Sequence, residues 1–488
     1  MRTFDEVTNM KDEKIYVNRK RNRKLTNKQE RQLPHIFLLL FAIIVVSTVL
    51  TWILPAGEFE RTVNASGSTV VVPGTFHTVE STPVGLFSMF QQIYNGMCDA
   101  ASISFFVFIS YASINIIIAS GAFNGLVASL LRVFKGKARL AIIPIFITLI
   151  GAGSSTIGLF SEWFPFIPVF VSISIAMGWD AVVGLAIVAL GAGMGYSGST
   201  INPFTVGVAQ SIAEVSPMSG VGFRVFCHLC MIVAASLMTM RYAAKISADP
   251  TKSLVYGDNF GALSMDEKGL KDAAFGWREK SVLGILAAGI VAIVWGCGAY
   301  HWGFPQLSAV FLIMGILSAA VMGKGPNEIA GQFEKGFLHV TTACMMIGLA
   351  RGILMVLTAG SIIDTVVYYL SIPLSAFPGW LCGVAMLLMQ TLLNFLIPSG
   401  SGQAATSMPI MAPLADLLGV SRDAAILAFQ FGDGLSNIVW PTGFAIIMAG
   451  LAGVKVEKWW KFVVPVFLVI FAVQALLMVA AVGMGFGV

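Results

Sequence analysis

The sequence predicts an all-α polytopic membrane protein with about nine transmembrane helices, two re-entrant hairpins and two unwound helices in inverted-topology repeats. Its 488 residues are 57% hydrophobic and only 11% charged, with a mean hydropathy of +0.83, which excludes an ordinary soluble domain. Apolar runs long enough to cross a bilayer recur along the whole chain. Two further apolar regions, 139–178 and 379–418, are interrupted by glycine and polar residues.

The elements follow in a regular order. Residues 1–33 are polar and basic, which predicts a cytosolic tail. The first repeat is expected at 34–240, a cytosolic loop and linking helix at 241–305, and the second repeat at 306–488. The predicted spans are 34–55, 101–121, 180–213, 223–240, 281–300, 306–322, 338–357, 423–452 and 462–485. An outer loop at 56–100 is expected to hold a small hairpin at 68–79.

Positive charge sets the orientation, because cytosolic loops are enriched in lysine and arginine. All but four of the 30 basic residues fall in segments that the predicted topology places on one side of the membrane. These segments are 1–33, 122–139, 241–280, 323–336 and 453–461. The N-terminus is therefore predicted to be cytosolic. Hairpin 139–178 then enters from the inside. Five crossings later, hairpin 379–418 enters from the outside.

The two halves share a weak but collinear repeat. Each hairpin precedes a span broken by Gly, Ser, Asn and Pro, at 180–213 and at 423–452. The matching pairs are Pro168 with Pro409, Gly178 with Gly419, Asp180 with Asp423, Ser197 with Ser436, and Pro203 with Pro441. Irregular backbone at membrane depth persists only where it is buried in protein or lines a polar cavity. Paired broken helices in opposite halves therefore predict a binding site near the midplane of a secondary transporter.

Polar residues at the hairpin tips and breaks are the candidate substrate ligands. They are Ser154, Ser155, Thr156, Ser199, Thr200, Asn202, Ser399, Ser401, Gln403, Asn437 and Thr442. Half-helix N-termini attract anions, and freed carbonyls and hydroxyls bind small cations. The alternative is structural, since small residues serve close helix packing in membranes and amides satisfy broken backbone.

Charged residues inside the predicted spans form a second set of candidates. Glu162 and Asp433 predict cation coordination, proton carriage or recognition of a cationic group, because charge at membrane depth is costly. The structural alternatives are a hairpin-end carboxylate that reaches the interface and a neutral carboxyl bonded to backbone. Arg351 is expected to meet a substrate carboxylate or an acidic side chain. Ser197 and Ser436 complete the set assigned to a coupling ion or to charge recognition.

Other classes of function are disfavoured by the same residues. The pair Cys227 and Cys230 has metal-ligand spacing, but it lacks a second ligand pair and is assigned to packing. The stretch "GYSG" at 195–198 suggests a serine nucleophile, for which His228 is the nearby candidate base. A hydrolase is nevertheless disfavoured, because Ser436, the matching serine of the second half, has no candidate base. A channel would need rings of pore-lining groups rather than two inverted hairpins. No catalytic residue, metal centre, cofactor or nucleic-acid partner is predicted.

Several motifs resemble one transporter family. "SGSGQA", "MPxxAPLxD" and "AFQFGDGxS" in the second half, and "GYSGSTINPFTVGVAQSIA" in the first, are similar to the YfcC-like branch of the DcuC-type anaerobic C4-dicarboxylate carrier family. The resemblance covers roughly 34–485. It implies a homodimer with an elevator mechanism in the bacterial cytoplasmic membrane. It places 399–403 in the second hairpin tip, 432–441 in the second unwound segment, and 199–203 in the first.

The resulting expectation is a secondary active transporter, not an enzyme. The substrate would be a small carboxylate-bearing metabolite such as a C4-dicarboxylate, with sodium or a proton as the coupling ion. A basic amino acid exchanger of the arginine–ornithine type is the alternative. The sequence departs from its wider relatives in having "SGST" and "SGSG" where they carry a Ser-Asn-Thr motif.

Overall fold

The structure is a computed structural model that describes residues 35–63, 69–72, 74–122, 136–216, 218–260, 276–300 and 302–487. The predicted basic tail, 1–33, lies outside these residues. The chain divides into two units, Met1–Leu39 and Leu40–Val488. The described part of the first unit is the beginning of one helix, and the second unit contains all the other elements.

The described residues are mostly helical, as the sequence predicts. The α-helices are α1 (Ile36–Ile53), α2 (Leu86–Asp99), α3 (Ala101–Ala119), α4 (Ile142–Thr156), α5 (Ile167–Ala176), α6 (Ala181–Ser197), α7 (Val206–Ile212), α8 (Val221–Ala248), α9 (Trp277–Tyr300), α10 (Phe304–Val321), α11 (Pro326–Ala359), α12 (Ile363–Ser371), α13 (Gly379–Leu396), α14 (Gly400–Leu417), α15 (Arg422–Ser436), α16 (Ala445–Leu451) and α17 (Val456–Gly483). Short 3-10 helices cover Gly136–Ala141, Ser161–Phe166, Pro250–Lys252 and Ile372–Ala376.

Seven helical segments among the described residues are each long and apolar enough to cross a bilayer. They are Ala101–Ala119, Ala138–Thr156, Val221–Ala248, Trp277–Cys297, Phe304–Val321, Pro326–Ala359 and Val456–Gly483. Since a crossing needs about 20 apolar residues, this set indicates a multi-pass membrane protein. Helix α11 begins well before its predicted start at 338, so the expected inner loop 323–336 is largely helical.

The predicted outer loop 56–100 is more ordered than expected. Strands β1 (Gly57–Glu58) and β4 (His77–Thr78) pair antiparallel around the antiparallel pair β2 (Arg61–Val63) and β3 (Thr69–Val71). The expected hairpin within 68–79 is therefore wrong, because the strands in this segment pair with strands at 57–63 instead of with each other. Helix α2 then occupies the end of this region and packs against α11.

The two hairpins and the two broken helices form matching arrangements. Helices α4 and α5 both pack against α6, and helices α13 and α14 both pack against α15. The turns are shorter than the predicted tips at 151–162 and 398–407. Helix α4 continues to Thr156, and helix α14 already begins at Gly400, where the Ser399 side chain accepts a hydrogen bond from the Gly402 N–H at 3.3 Å.

Helices α6 and α15 run in opposite directions, as their contacts with α8 show. Asp180, just before α6, accepts a hydrogen bond from Tyr242 near the end of α8, at 2.6 Å. Asp423, in the first turn of α15, pairs with Arg224 near the start of α8, at 3.0 Å. These contacts on α8 lie about 27 Å apart, given 1.5 Å per residue. The C-terminal ends of α6 and α15 meet in between, where the Ser197 hydroxyl donates to a carbonyl of α15 at 3.0 Å.

The helices of the second unit form two bundles. The scaffold bundle is α2, α3, α9, α10 and α11, in which α11 packs on α2 and α3, and α10 packs on α3 and α9. The hairpin bundle is α4–α8 with α13–α17, built around α6 and α15. The bundles touch where α16 packs on α11 and where the 3-10 turn Ser161–Phe166 packs on α3. The candidate site lies at this boundary.

Candidate functional site

The two helix breaks come together because small residues allow it. Helix α6 ends at Ser197, and helix α15 ends at Ser436. A Cβ on Gly434 would lie only 2.1 Å from the Ser197 backbone nitrogen, so no larger residue fits at this crossing. The close approach places residues 198–205 and 437–444, which follow the breaks, on one side of the hairpin bundle.

Asp433 lies one turn before the second break in a network of amides. Its Oδ1 accepts hydrogen bonds from Asn394 Nδ2 at 2.8 Å and from Asn437 Nδ2 at 3.4 Å. The Ser436 hydroxyl donates to Asn394 Oδ1 at 2.8 Å. The carboxylate is fully buried, and its Oδ2 has no hydrogen-bond partner among the described residues. A buried oxygen without a donor is unusual in proteins.

Gly400 lies between that oxygen and the boundary of the two bundles. A Cβ on Gly400 would lie 3.2 Å from Asp433 Oδ2, 2.5 Å from Thr205 Cγ2 and 3.4 Å from Tyr196 Cε1. Thr205 is also fully buried, and its hydroxyl has no partner within the described ranges. The first turn of α14 therefore brings the second hairpin, the first break and Asp433 to one point.

The polar groups of the first break are hydrogen-bonded by side chains of the break itself and of the neighbouring helix α4. Ser155 Oγ donates to the Gly198 carbonyl at 3.0 Å and accepts from the Thr200 N–H at 3.1 Å. Asn202 Nδ2 donates to Ser199 Oγ at 3.3 Å, while Asn202 Oδ1 accepts from the N–H of residue 204 at 2.9 Å. These groups replace hydrogen bonds that an unbroken helix would make. The substrate role predicted for these residues stays a prediction.

A cavity of about 510 Å³ lies between the hairpin bundle and the scaffold bundle. The hairpin bundle contributes the turn Ile157–Glu162, the turn Pro398–Ser401 and the segment Thr442–Phe444 after the second break. The scaffold bundle contributes residues of α2, α3 and α11 and the connection before α10. A volume of this size suits a small metabolite.

Three charged side chains line this cavity among the described residues. Arg351, on α11, donates from Nε to Asp99 Oδ2, at the end of α2. Glu162, in the first hairpin turn, accepts from the Phe160 N–H at 2.8 Å. Counted formally, the described lining holds two acids and one base.

Aromatic rings form the wall near Glu162. Phe160 lies edge-on to Tyr196, with ring centroids 5.0 Å apart, and 5.0 Å from the ring of Phe444. All three rings line the cavity. Aromatic faces next to a carboxylate attract organic cations.

The predicted site residues divide into two groups by position. Those that line the cavity are Glu162, Arg351, Ser399, Ser401, Asn437 and Thr442. Those that lie behind it, bonded to protein groups, are Ser154, Ser155, Thr156, Ser197, Ser199, Thr200, Asn202, Gln403, Asp433 and Ser436. Their roles toward a substrate or ion stay predictions.

Sequence reasoning missed three residues of this region. Asp99 fell in the predicted outer loop, and nothing local links it to Arg351, which is 252 residues away in the chain. Tyr196 and Thr205 flank the first break, beside the Ser and Asn residues that were chosen. A search for every polar residue within a few positions of the breaks would have found the last two.

Comparison with known proteins identifies the family of the chain. The model of the DcuC family, described as a C4-dicarboxylate anaerobic carrier, matches residues 33–483. The chain belongs to the DcuC family. The family resemblance read from the motifs is thereby confirmed, and the chain is a member of a family of membrane transporters.

Two relatives of this DcuC-family chain match over nearly its whole length. An uncharacterized protein of Haemophilus influenzae is 28% identical over 495 residues, covering 92% of this chain and 97% of its own. The putative basic amino acid antiporter YfcC of Escherichia coli is 27% identical over 494 residues, covering 93% and 97%.

Two solved structures show a more distant likeness. The YdaH transporter of Alcanivorax borkumensis has a TM-score of 0.41 and 16% identity, covering 93% of this chain and 99% of its own. MtrF of Neisseria gonorrhoeae, described as illuminating a class of antimetabolite efflux pumps, has a TM-score of 0.41 and 17% identity, covering 92% and 95%.

Proposed function

We propose that the chain is a secondary active transporter that moves a small carboxylate-bearing metabolite, such as a C4-dicarboxylate, across a bacterial cytoplasmic membrane. The observation that carries the proposal is the cavity between the two bundles. It is lined by both hairpin turns and by residues that follow the second break. Ends of discontinuous helices that face one cavity are the binding arrangement of secondary transporters.

The inverted repeats and an elevator mechanism belong to the same proposal. The antiparallel course of α6 and α15 and the matching hairpin contacts support two repeats of opposite topology, with two re-entrant hairpins among about nine spans. In an elevator, the hairpin bundle would slide along the scaffold bundle and carry the site. A homodimer formed through the scaffold bundle is part of this proposal, to be checked by native mass spectrometry.

Asp433 is proposed to bind the coupling cation, sodium or a proton. The support is its buried Oδ2, which has no hydrogen-bond partner in the described part of the chain and lies behind Gly400, close to the Thr205 side chain. A sodium ion prefers such oxygens, and a proton would neutralise the same carboxylate. Cation binding at this position would fix the first turn of α14 against the first break, which links ion occupancy to the shape of the cavity.

A basic amino acid exchanger is the second candidate function. The observation in its favour is the formal excess of acid in the described lining, where Asp99 and Glu162 face a single Arg351. Aromatic rings beside Glu162 add a surface for a cationic side chain. YfcC, which carries the basic amino acid description, matches the chain over nearly its full length.

A serine hydrolase finds no support in the geometry. The Ser197 hydroxyl donates to the Phe431 carbonyl at 3.0 Å and accepts from Gln474 Nε2 at 2.7 Å. A nucleophile would donate to a base such as His228 instead. The chain is therefore proposed to be a transporter without enzymatic activity.

The direct test is counterflow in liposomes that contain the purified full-length protein. Liposomes loaded with unlabelled succinate or L-ornithine should accumulate the same labelled compound from outside, with saturation, and faster than liposomes loaded with buffer. Empty liposomes are the control. Uptake without stimulation by internal substrate, rising linearly with concentration, is the behaviour of a channel and would refute the carrier.

A further inference from the structure

The ion pair of Asp99 and Arg351 lies where two helices of the scaffold bundle are in close contact. Helices α2 and α11 touch backbone to backbone, since a Cβ on Gly96 would lie 2.4 Å from the Gly352 nitrogen and 2.8 Å from the Gly348 carbonyl. Small residues at this spacing let membrane helices approach closely. Asp99 lies one helical turn after Gly96, and Arg351 directly precedes Gly352, so this contact brings the two charged side chains together.

Both members of the pair are accessible to a ligand in the cavity. The Arg351 side chain is 31% exposed and the Asp99 side chain is 38% exposed, and both line the cavity. Toward the described residues, the Arg351 guanidinium donates one hydrogen bond, from Nε to Asp99. Its Nη groups face no described acceptor, and such groups bind carboxylates in a paired geometry.

The pair presents a positive and a negative group side by side. A carboxylate that binds Arg351 comes close to Asp99 and is repelled by it, unless the ligand carries a cation beside its carboxylate. An α-amino acid has this pattern, because its ammonium and carboxylate are bonded to the same carbon. A dicarboxylate lacks the cation and would in addition meet Glu162 across the cavity.

We infer that Asp99 and Arg351 bind the zwitterionic head group of an α-amino acid, with Asp99 as the residue that selects amino acids over simple carboxylates. This inference rests on the proposed transport function and, among the carboxylate-bearing metabolites that it covers, favours amino acids over C4-dicarboxylates. Glu162 and the aromatic wall then face the side chain of the substrate. Asp99 acts on the ammonium group directly and also orients the Arg351 guanidinium.

The test compares ligands that differ by one amine. L-aspartate and succinate form one pair, and L-ornithine and 5-aminopentanoate form the other. Titration calorimetry on the purified full-length protein should give tighter binding of the α-amino member by about tenfold or more, as expected for a close charge pair at a binding interface. In Asp99→Asn the two members of a pair should bind within about twofold of each other.

Two control variants separate charge selection from folding. Asp99→Glu keeps the charge and should keep the preference for the α-amino ligand. Asp416→Asn removes a carboxylate from another arginine pair, Asp416 with Arg422 at 2.8 Å, which does not line the cavity, and should behave like the wild type. Gel filtration and melting temperature establish that each variant is folded.

The outcomes distinguish the inference from the proposed function. Succinate binding as tightly as L-aspartate to the wild type would overturn the inference and leave the carrier intact, as would an unchanged preference in Asp99→Asn. Loss of the preference in Asp99→Glu as well would also overturn it, because charge would not be the cause. Binding of none of the four ligands would refute the proposed substrates, and the inference with them.

Discussion

Replacing Asp433 by Asn should remove cation coupling and leave the fold intact. The variant keeps the side-chain shape, and its Oδ1 can still accept from Asn394 and Asn437, now at 2.8 and 3.4 Å. The second oxygen, which has no partner among the described residues, becomes an amide nitrogen beside the Gly400 backbone. What disappears is the negative charge that would hold sodium or a proton.

The expected size of the effect follows from linkage. A cation bound at a concentration of 100 times its Kd stabilises the folded wild type by about 2.7 kcal/mol, and this term should vanish in Asp433→Asn. Without the cation, the variant should be at least as stable as the wild type, because an unpaired buried charge has been removed. Ion-driven uptake by the variant should fall to the level of empty liposomes, because no coupling ion is bound.

The assay is a melting curve of purified protein with and without sodium, at two pH values, followed by uptake in liposomes. Asp416→Asn is the matched control, since it changes a carboxylate to an amide outside the cavity and should retain both responses. A variant at position 433 that keeps the cation-dependent rise in melting temperature, or transports at the wild-type rate, would show that the coupling ion binds elsewhere.

Three further predictions concern packing, a buried ion pair and the first hairpin. Gly434→Ala should lower stability by about 3 kcal/mol, the upper end of the usual range for overpacking, because its Cβ would meet the α6 backbone at 2.1 Å. Gly331→Ala, whose Cβ would have nothing within 4 Å, should be neutral or slightly stabilising by melting temperature. Arg224→Leu should cost about 3–5 kcal/mol, because it leaves the Asp423 carboxylate buried without its cation; a loss below about 1 kcal/mol in denaturation would contradict the pairing. Glu162→Gln should raise the KM for L-ornithine in counterflow, because the carboxylate that faces the cationic side chain of the substrate is lost, and an unchanged KM would contradict this position of Glu162 toward the substrate.

The helix breaks were predictable because their residues are locally unfit for an unbroken helix. Gly198 and Pro203 follow α6, Pro441 follows α15, and the structure ends both helices before these residues. The positions of the hairpin turns were predictable to within a few residues, since glycine and serine accumulate there. Their lengths were not, because Ser399 caps α14 and lets the helix start inside the polar run.

Helix α2 was missed for a different reason. Its sequence, Leu86–Asp99, contains polar residues on one face and is shorter than a membrane span, so a hydropathy pattern assigns it to a loop. What stabilises it is tertiary, namely the close contact of Gly96 with α11. The pairing of Asp99 with Arg351 depends on that contact and could not be derived from residues 252 positions apart in the sequence.

For the charged groups of the site, the sequence indicated which residues matter but not which of them lie together. The sequence singled out Glu162, Asp433 and Arg351 because charge at membrane depth is rare, and the structure places Glu162 and Arg351 on one cavity. Asp433 does not line the cavity, because Gly400 lies between the two. This position depends on how α14 packs and could not be derived from the sequence. The buried pair of Arg224 and Asp423 needed the structure, since it joins helices 199 residues apart.

The most direct test of the account asks whether the two bundles must move for transport. In a background free of the six native cysteines, cysteines at Gly450 on α16 and Ala343 on α11 should form a disulfide, because a Cβ at position 450 would lie 3.6 Å from that of Ala343. A carrier whose hairpin bundle slides against the scaffold should lose counterflow when the bridge is complete and regain it on reduction. Full counterflow with the two bundles completely crosslinked would contradict the mechanism.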